Sequence, residues 1–142
     1  MKDRYRRRLS GPLLDRIDLH VSVTAVDPEA LRSKKRGEDS ATVRERVVAA
    51  RAVQAHRNRR YRVTVNAELP ARALDEVCAP TRAAQRALDD VFADNRLSAR
   101  AHDRILKVAR TLADLAGRDT IDVPDIGVAV AYRQLDRAPC AS

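Results

Sequence analysis

The sequence predicts a mainly α-helical protein, a bundle of four or five helices preceded by one orphan edge β-strand. Two observations predict the helices: glycine is scarce, with four in 142 residues, and apolar residues recur every three or four positions from Ser40 onward. A third predicts the strand, because apolar and polar residues alternate strictly from Ile17 to Val23. Hydrophobic residues make up 44% of the chain and aromatic residues only 3%, so we expect an aliphatic core.

The predicted strand follows a short turn begun by Pro12 and ends at Asp27-Pro28. Its half-polar pattern is typical of an edge strand, and no second strand pattern follows for it to pair with. We therefore expect residues 1–27 to form an appendage to the helices, and the chain to be a piece of something larger. Because an unpaired edge pairs with any available strand, a strand-paired dimer is a further expectation.

A polar, charged segment over residues 28–39 predicts a flexible linker before the helices. The first helix is expected to start near Ser40, whose hydroxyl would cap the first turn, and to end between residues 58 and 62. Its inward-facing stripe is expected to contain four residues at helical spacing: Val43, Val47, Ala50 and Gln54.

Prolines predict where the middle helices begin. Pro70 and Pro80 would each occupy a first helical position, opening a short helix to about Val77 and a longer one from about Thr81 to Asp94. The inward-facing residues of the longer helix are expected to be Leu88, Val91 and Phe92.

The next helix has both of its ends marked in the sequence. Ser98 is a candidate N-cap and Gly117 a candidate stop. The stripe between them contains Ile105, Val108, Ala109, Leu112 and Leu115. The last helix is expected from near Pro124 to near Asp136, which predicts a helical domain over residues 40–137 and a disordered tail over 138–142.

The positive charge is concentrated in the N-terminal half. The formal net charge is +8, and residues 32–62 contain eleven basic and three acidic side chains. Local basic clusters suit phosphates, either of a nucleotide or of a nucleic-acid backbone; the alternative is that an arginine-rich chain places arginine on every solvated helix face. No apolar window approaches the ~18 residues of a membrane span, so we expect a cytoplasmic protein without membrane contact.

Several chemistries are missing from the sequence. The four glycines never adopt the spacing of a phosphate-binding loop. Cys78 and Cys140 are too few and too isolated for a zinc site, so no metal site is predicted. His20, His56 and His102 are scattered, and no nucleophile with a base can be argued from spacing. We therefore do not expect this chain to be an enzyme by itself.

Two arginines are candidate phosphate ligands. Arg16 lies at the start of the predicted strand, a rigid mount, and its planar, always-charged guanidinium suits phosphate oxygens; the alternative is a salt bridge to Asp15 or Asp18. Arg100 falls in the first turn after the Ser98 cap, where a helix already favours an anion; the alternative is a solvated side chain.

Four segments together closely resemble one family over about residues 4–137. They are RYRRRLSGPLLDRIDLHVSV, SATVRERVVAARAVQ, NRLSARAHDRILKVARTLADLAG and AYRQLDR. The resemblance is to the C-terminal part of the Mg-chelatase-related AAA+ proteins, the ComM/YifB competence-protein family. It implies an α/β ATPase core whose last, edge strand matches residues 17–23, followed by a helical lid.

The resemblance also implies a function and roles for the two arginines. Members are ring-forming hexameric ATPases that use ATP and Mg²⁺, and the type member is a DNA helicase that promotes branch migration during natural transformation. Arg16 matches the arginine finger that reaches the nucleotide of a neighbouring subunit, and Arg100 matches the sensor-2 arginine of the lid. The expected partners are DNA and other copies of the chain, which would be a truncated part of such an ATPase.

Two other functions remain open from the sequence. The chain could be a stand-alone basic helical module that binds nucleic acid through residues 1–8 and 32–62. It could also belong to a magnesium chelatase that acts on a tetrapyrrole. The phosphate loop and the Mg²⁺-binding acidic pair of the family are missing from this sequence, so we expect no bound nucleotide or metal in the chain alone.

Overall fold

The computed structural model describes residues 16–23, 25, 32, 37–95 and 97–133. Within those residues five α-helices follow one another: α1 Ser40–Asn58, α2 Leu74–Val77, α3 Arg82–Asn95, α4 Ala99–Leu115 and α5 Val123–Ala131. Three single 3₁₀ turns lie between α1 and α2: Arg59–Tyr61, Asn66–Glu68 and Ala71–Ala73. The mainly α-helical class that the sequence predicts is therefore confirmed.

Helix α4 is the centre of the fold. It packs against α1, α2 and α5, while α3 packs against α5. The apolar spacing of α4 explains this position, because Ala101, Ile105, Leu106, Ala109 and Ala113 all face inward and are buried. The core around it is aliphatic, as expected, and its other buried members are Leu69, Ala73, Leu74, Val77, Cys78, Ala84, Leu88, Ile121, Ile126 and Ala129.

Both predicted ends of α4 are confirmed. The Ser98 hydroxyl accepts a hydrogen bond from the backbone N–H of Ala101 at 3.2 Å. At the other end Gly117 has a φ of 67°, in the left-handed region. The backbone N–H of Arg118 donates to the carbonyl of Ala113 at 2.9 Å, and that of Gly117 donates to Asp114 at 3.1 Å. These two bonds are the Schellman pattern that glycine favours.

The start of the last helix also follows the sequence. Asp122 caps α5, and the backbone N–H of Asp122 donates to the Asp125 carboxylate at 2.9 Å, which completes a capping box. Pro124 lies in the first turn, where no hydrogen bond from its nitrogen is needed. The helix ends at Ala131, before the predicted end near Asp136, and Tyr132 is its C-cap.

Helix α1 differs from the prediction at its N-terminal half. Asp39, not Ser40, is the N-cap, and its carboxylate accepts from the backbone N–H of Thr42 at 2.8 Å. Val43 and Val47 were expected to face the core, but they are 37% and 41% exposed. The buried residues of α1 are Ala50, Gln54 and Asn58, because the helix meets the rest of the described fold only through its C-terminal half.

Pro80 does not occupy the first helical position that the sequence predicts for it. It forms an isolated parallel bridge with Ile121, and the backbone N–H of Thr81 donates to the Ile121 carbonyl at 2.9 Å. The Thr81 hydroxyl then caps α3 by accepting from the N–H of Ala84 at 3.2 Å. Pro70 precedes the 3₁₀ turn that leads into α2, close to the predicted start.

The alternating segment does not form a strand in the described residues. A strand requires a ladder with a second strand, and residues 16–23 are irregular. Val21 and Val23 are 68% and 85% exposed. Most of the predicted linker and the whole of residues 134–142, including the predicted tail, lie outside the described residues.

Candidate functional site

The first candidate arginine, Arg16, lies exposed in a turn at the start of the described chain. Three contacts between described residues hold the chain that follows it against the helical bundle. Asp18 forms an ion pair with Arg104 of α4. The guanidinium of Arg133, just after α5, donates to the backbone carbonyl of Ile17.

The third contact comes from His20, whose backbone N–H donates to the carbonyl of Tyr132 at 2.7 Å. The His20 side chain is buried, although its neighbours Leu19 and Val21 are exposed. A segment that carries a candidate phosphate ligand is therefore docked on α4 and on the end of α5.

The second candidate, Arg100, is exposed on the first turn of α4. It lies four residues before Arg104, on the same face of the helix and about 6 Å along the axis. Because two residues of chain span at most about 7 Å, the backbone of Arg16 lies close to that of Asp18. The structure thus places Arg16 two residues before a side chain that contacts α4 one turn after Arg100.

Neither arginine is neutralised by an acidic side chain within the described residues. The sequence left open a salt bridge from Arg16 to Asp15 or Asp18. Asp15 lies outside the described residues, and the ion pair of Asp18 is with Arg104. Arg100 is exposed to solvent and lies at the positive end of the α4 dipole. Two exposed guanidinium groups near a helix N-terminus are suited to the oxygens of a phosphate.

Sequence reasoning missed a buried polar network that joins α1 to α4. The two terminal nitrogens of Arg57 each donate to a carboxylate oxygen of Asp114 at 2.7 Å. Asn66, from the 3₁₀ turn between these helices, donates to Asp114 at 2.8 Å and accepts from Arg57 at 2.9 Å. Arg110, on the preceding turn of α4, donates to Asp114 at 3.0 Å.

The electrostatics of Asp114 follow from these bonds. Burial by itself would raise the pKa of the Asp114 carboxyl. The hydrogen bonds from Arg57 and Asn66 and the charge of Arg110 outweigh burial, so the pKa lies below its ordinary value. Asp114 is therefore ionised at neutral pH and holds two guanidinium groups in place.

The network orients a basic surface at the end of α1. A shallow open groove there is lined by His56, Arg57, Arg59 and Arg60. Arg60 is paired with Glu76 and also lies over the ring of Tyr61, 4.8 Å from its centroid. Arg59 and Arg62 are exposed, and neither has an acidic partner among the described residues.

Two absences apply to the part of the chain that the structure describes. Its residues include no group of three or more His, Cys, Asp or Glu side chains that could hold a metal ion. None of its helices is long and apolar enough to cross a bilayer.

The fold and these two surfaces define a small helical domain with exposed arginines that have no acidic partner among the described residues. Comparison with known families identifies it further. Residues 37–133 match the family described as magnesium chelatase, subunit ChlI C-terminal, and residues 1–31 match the family described as magnesium chelatase, subunit ChlI. The chain belongs to the magnesium chelatase ChlI C-terminal family.

Its relatives agree with the resemblance seen in the sequence. The chain is 41% identical over 135 residues to the uncharacterised protein YifB of Salmonella typhimurium, and 38% identical over 135 residues to the competence protein ComM of Haemophilus influenzae. An uncharacterised protein of Mycobacterium tuberculosis is 40% identical over 133 residues. Each alignment covers 94% of this chain but only 26% of the relative, so the chain spans about a quarter of the length of these relatives.

Proposed function

We propose that this chain is the helical lid, with the adjoining arginine segment, of a ring-forming AAA+ ATPase that acts on DNA in the cytoplasm. In this role Arg16 contacts the phosphates of a nucleotide bound by a neighbouring subunit, and Arg100 contacts nucleotide phosphates from the lid. The observation that carries the proposal is the docking of residues 16–20 on α4 and on the end of α5. Docking ties the segment that contains Arg16 to the helix that contains Arg100.

The chemistry of phosphoryl transfer supports this assignment. Charge builds up on the phosphoryl oxygens in the transition state, and an arginine finger contributes on the order of 10³-fold or more to the rate in other such systems. A guanidinium supplies this charge without a change of protonation. Arg100 has the further advantage of the α4 N-terminus, where the backbone N–H groups favour an anion.

The family implies ATP and Mg²⁺ as cofactors. Arg16 and Arg100 fit the phosphate part of the nucleotide, because both are exposed and free of acidic partners within the described residues. No described cluster of side chains fits the metal. The proposal therefore assigns phosphate binding to these two arginines and derives no step through the metal ion.

The test is a chimera in which this chain replaces the matched quarter of the Salmonella typhimurium relative. ATP hydrolysis and the binding of a fluorescent ATP analogue are measured for the chimera and its variants. We expect Arg16→Ala to reduce hydrolysis about 10³-fold while nucleotide binding is retained. Arg44→Ala, which removes an exposed arginine from α1, is the matched control. Full hydrolysis by the Arg16→Ala chimera would reject the role of Arg16.

A second candidate function, nucleic-acid binding by the chain itself, is favoured by the basic groove at the end of α1. Arg59 lines this groove and Arg62 lies three residues further along the chain; both are exposed and have no acidic partner among the described residues. DNA is also the substrate that the first proposal requires. The groove therefore offers one surface that serves either function.

This second function is tested by measuring DNA affinity as a function of salt. Each phosphate contact that is lost reduces the slope of log K against log salt by about 1. We expect Arg59→Ala and Arg62→Ala each to reduce the slope by that amount, and Arg86→Ala, on the exposed face of α3, to leave it unchanged. Equal slopes for all three variants would exclude the groove as the binding surface.

A further inference from the structure

Two aspartates close to Arg16 in the sequence could compete with a phosphate for its guanidinium. In the sequence Arg16 lies between Asp15 and Asp18. A carboxylate within reach of a guanidinium competes with a phosphate for it, because both are oxygen anions that the same nitrogen donors recognise. An Arg16 that is paired with Asp18 would lose part of its affinity for a phosphate.

The structure removes Asp18 from this competition. Its carboxylate forms an ion pair with Arg104, whose side chain is 26% exposed and projects from α4 one turn after Arg100. The segment does not depend on this ion pair alone, because the Arg133 bond to the Ile17 carbonyl and the His20 bond to the Tyr132 carbonyl also hold it. Arg104 can therefore act on the charge of Asp18 without being the sole anchor of the segment.

We propose that Arg104 is a positioning residue that sequesters the Asp18 carboxylate and so keeps the Arg16 guanidinium available to phosphate oxygens. The proposal rests on the proposed role of Arg16 as a phosphate ligand. It extends that role by linking the arginine segment to the helix that carries Arg100. A change in the position of α4 would then move Arg100 and also the segment that contains Arg16, because the ion pair between Asp18 and Arg104 joins that segment to α4.

The first measurement tests the pairing without any ligand. Side-chain Nε–H resonances of arginine are recorded by NMR for the 142-residue chain and for Asp18→Asn, a conservative change at a half-exposed side chain. We expect the resonance of Arg104 to move and that of Arg16 to remain in place. Movement of the Arg16 resonance with no change at Arg104 would overturn the proposal, because it would show that Asp18 pairs with Arg16.

The second measurement tests the consequence, with inorganic tripolyphosphate as the probe and the Arg16 Nε–H resonance as the readout. Exposed ion pairs contribute about 0.2–1 kcal/mol, so Arg104→Ala is expected to weaken the response of Arg16 by up to about fivefold. The double variant Asp18→Asn/Arg104→Ala is expected to recover the wild-type response. A role of Arg104 in folding alone predicts no recovery.

A matched control separates sequestration from net charge. Asp103→Asn/Arg104→Ala has the same net charge as Asp18→Asn/Arg104→Ala, and Asp103 is a half-exposed residue next to Arg104 on α4. We expect no recovery in this control. Equal recovery in both double variants, or no loss in Arg104→Ala, would overturn the proposal while leaving Arg16 as a phosphate ligand. A wild-type chain in which Arg16 does not respond to tripolyphosphate would instead reject the proposed function.

Discussion

At the scale of single residues, Asp114 joins α1 to α4 through its hydrogen bonds. It accepts hydrogen bonds from α1, from the Asn66 turn and from its own helix. Arg110 is 2% exposed, and its remaining donors reach the carbonyls of Arg118 and Asp119. A buried guanidinium requires a counter-charge, and Asp114 is the acid that supplies it.

Replacing Asp114 by Asn should therefore destabilise the protein strongly. The variant leaves Arg110 buried without its counter-charge, and breaking such a pair costs about 3–5 kcal/mol. The free energy of unfolding, measured by urea denaturation with circular dichroism, is expected to fall by about 3 kcal/mol or more. Asp90→Asn on the exposed face of α3 is the control and should change it by less than about 0.5 kcal/mol. A similar effect of both variants would contradict this role of Asp114.

The buried thiol of Cys78 should make stability depend on alkaline pH. Burial raises the pKa of Cys78 from 9.0 to about 11, so the folded state holds its proton above the pH at which the unfolded state releases it. The resulting stabilisation is complete below pH 9 and is lost as the pH rises through about 11.

The burial of Cys78 that raises its pKa is tested by the reactivity of its thiol. In a Cys140→Ser background, alkylation by iodoacetamide at pH 8 reports on Cys78 alone. We expect the native protein to react at least about 100-fold more slowly than the same protein in urea, because reaction requires an opening of the core. Equal rates in the two conditions would show that the thiol is accessible in the folded state.

At the scale of elements, the sequence predicts helix ends better than helix faces. The caps at Ser98 and Gly117 depend on residues within a few positions, so they are visible in the sequence. The exposure of Val43 and Val47 depends on what packs against α1, which no local pattern contains. The alternation after Arg16 likewise predicts a polar and an apolar face, but a strand also requires a partner.

In the candidate site, too, local features could be predicted from the sequence and tertiary pairings could not. Arg16 and Arg100 could be selected from the sequence because one follows a turn signal and the other follows an N-cap. The ion pair between Asp18 and Arg104 joins residues 86 positions apart, and the bond from Arg57 to Asp114 spans 57. Pairings at that distance depend on tertiary packing and could not be read from spacing.

Two glycines allow the same substitution to be tested with opposite expected signs. Gly117 has a φ of 67°, so a side chain there is strained although the space around it is open. Gly127 lies within α5 in open space and has no such backbone constraint. We expect Gly117→Ala to lower the free energy of unfolding by about 1 kcal/mol and Gly127→Ala to raise it by about 0.5–1 kcal/mol. Shifts of the melting temperature in opposite directions would show both changes. Stabilisation by both variants would contradict the Schellman ending of α4.

At the scale of the whole molecule, stability should decrease with distance from α4. The buried core surrounds α4, α5 and the short helices, whereas the first turns of α1 contribute no buried residue. A helix without tertiary contacts is marginal in water, and the Asp39 cap and an exposed ion pair between Arg46 and Glu38 add little to it. The two ends of α1 should therefore open independently.

Native-state hydrogen exchange would measure this gradient directly. We expect backbone amides at residues 44–48 to exchange at least about 100-fold faster than those at residues 105–109, because the former need only local fraying and the latter global unfolding. The control Val47→Glu should leave the global free energy of unfolding within about 0.5 kcal/mol, as expected for an exposed position. The opposite result would be equal protection of the two segments and a large loss of the free energy of unfolding in Val47→Glu. It would mean that the face of α1 with Val43 and Val47 is covered in solution. Concentration-dependent exchange would then identify a second copy of the chain as the cover, since only self-association depends on the concentration of the protein itself.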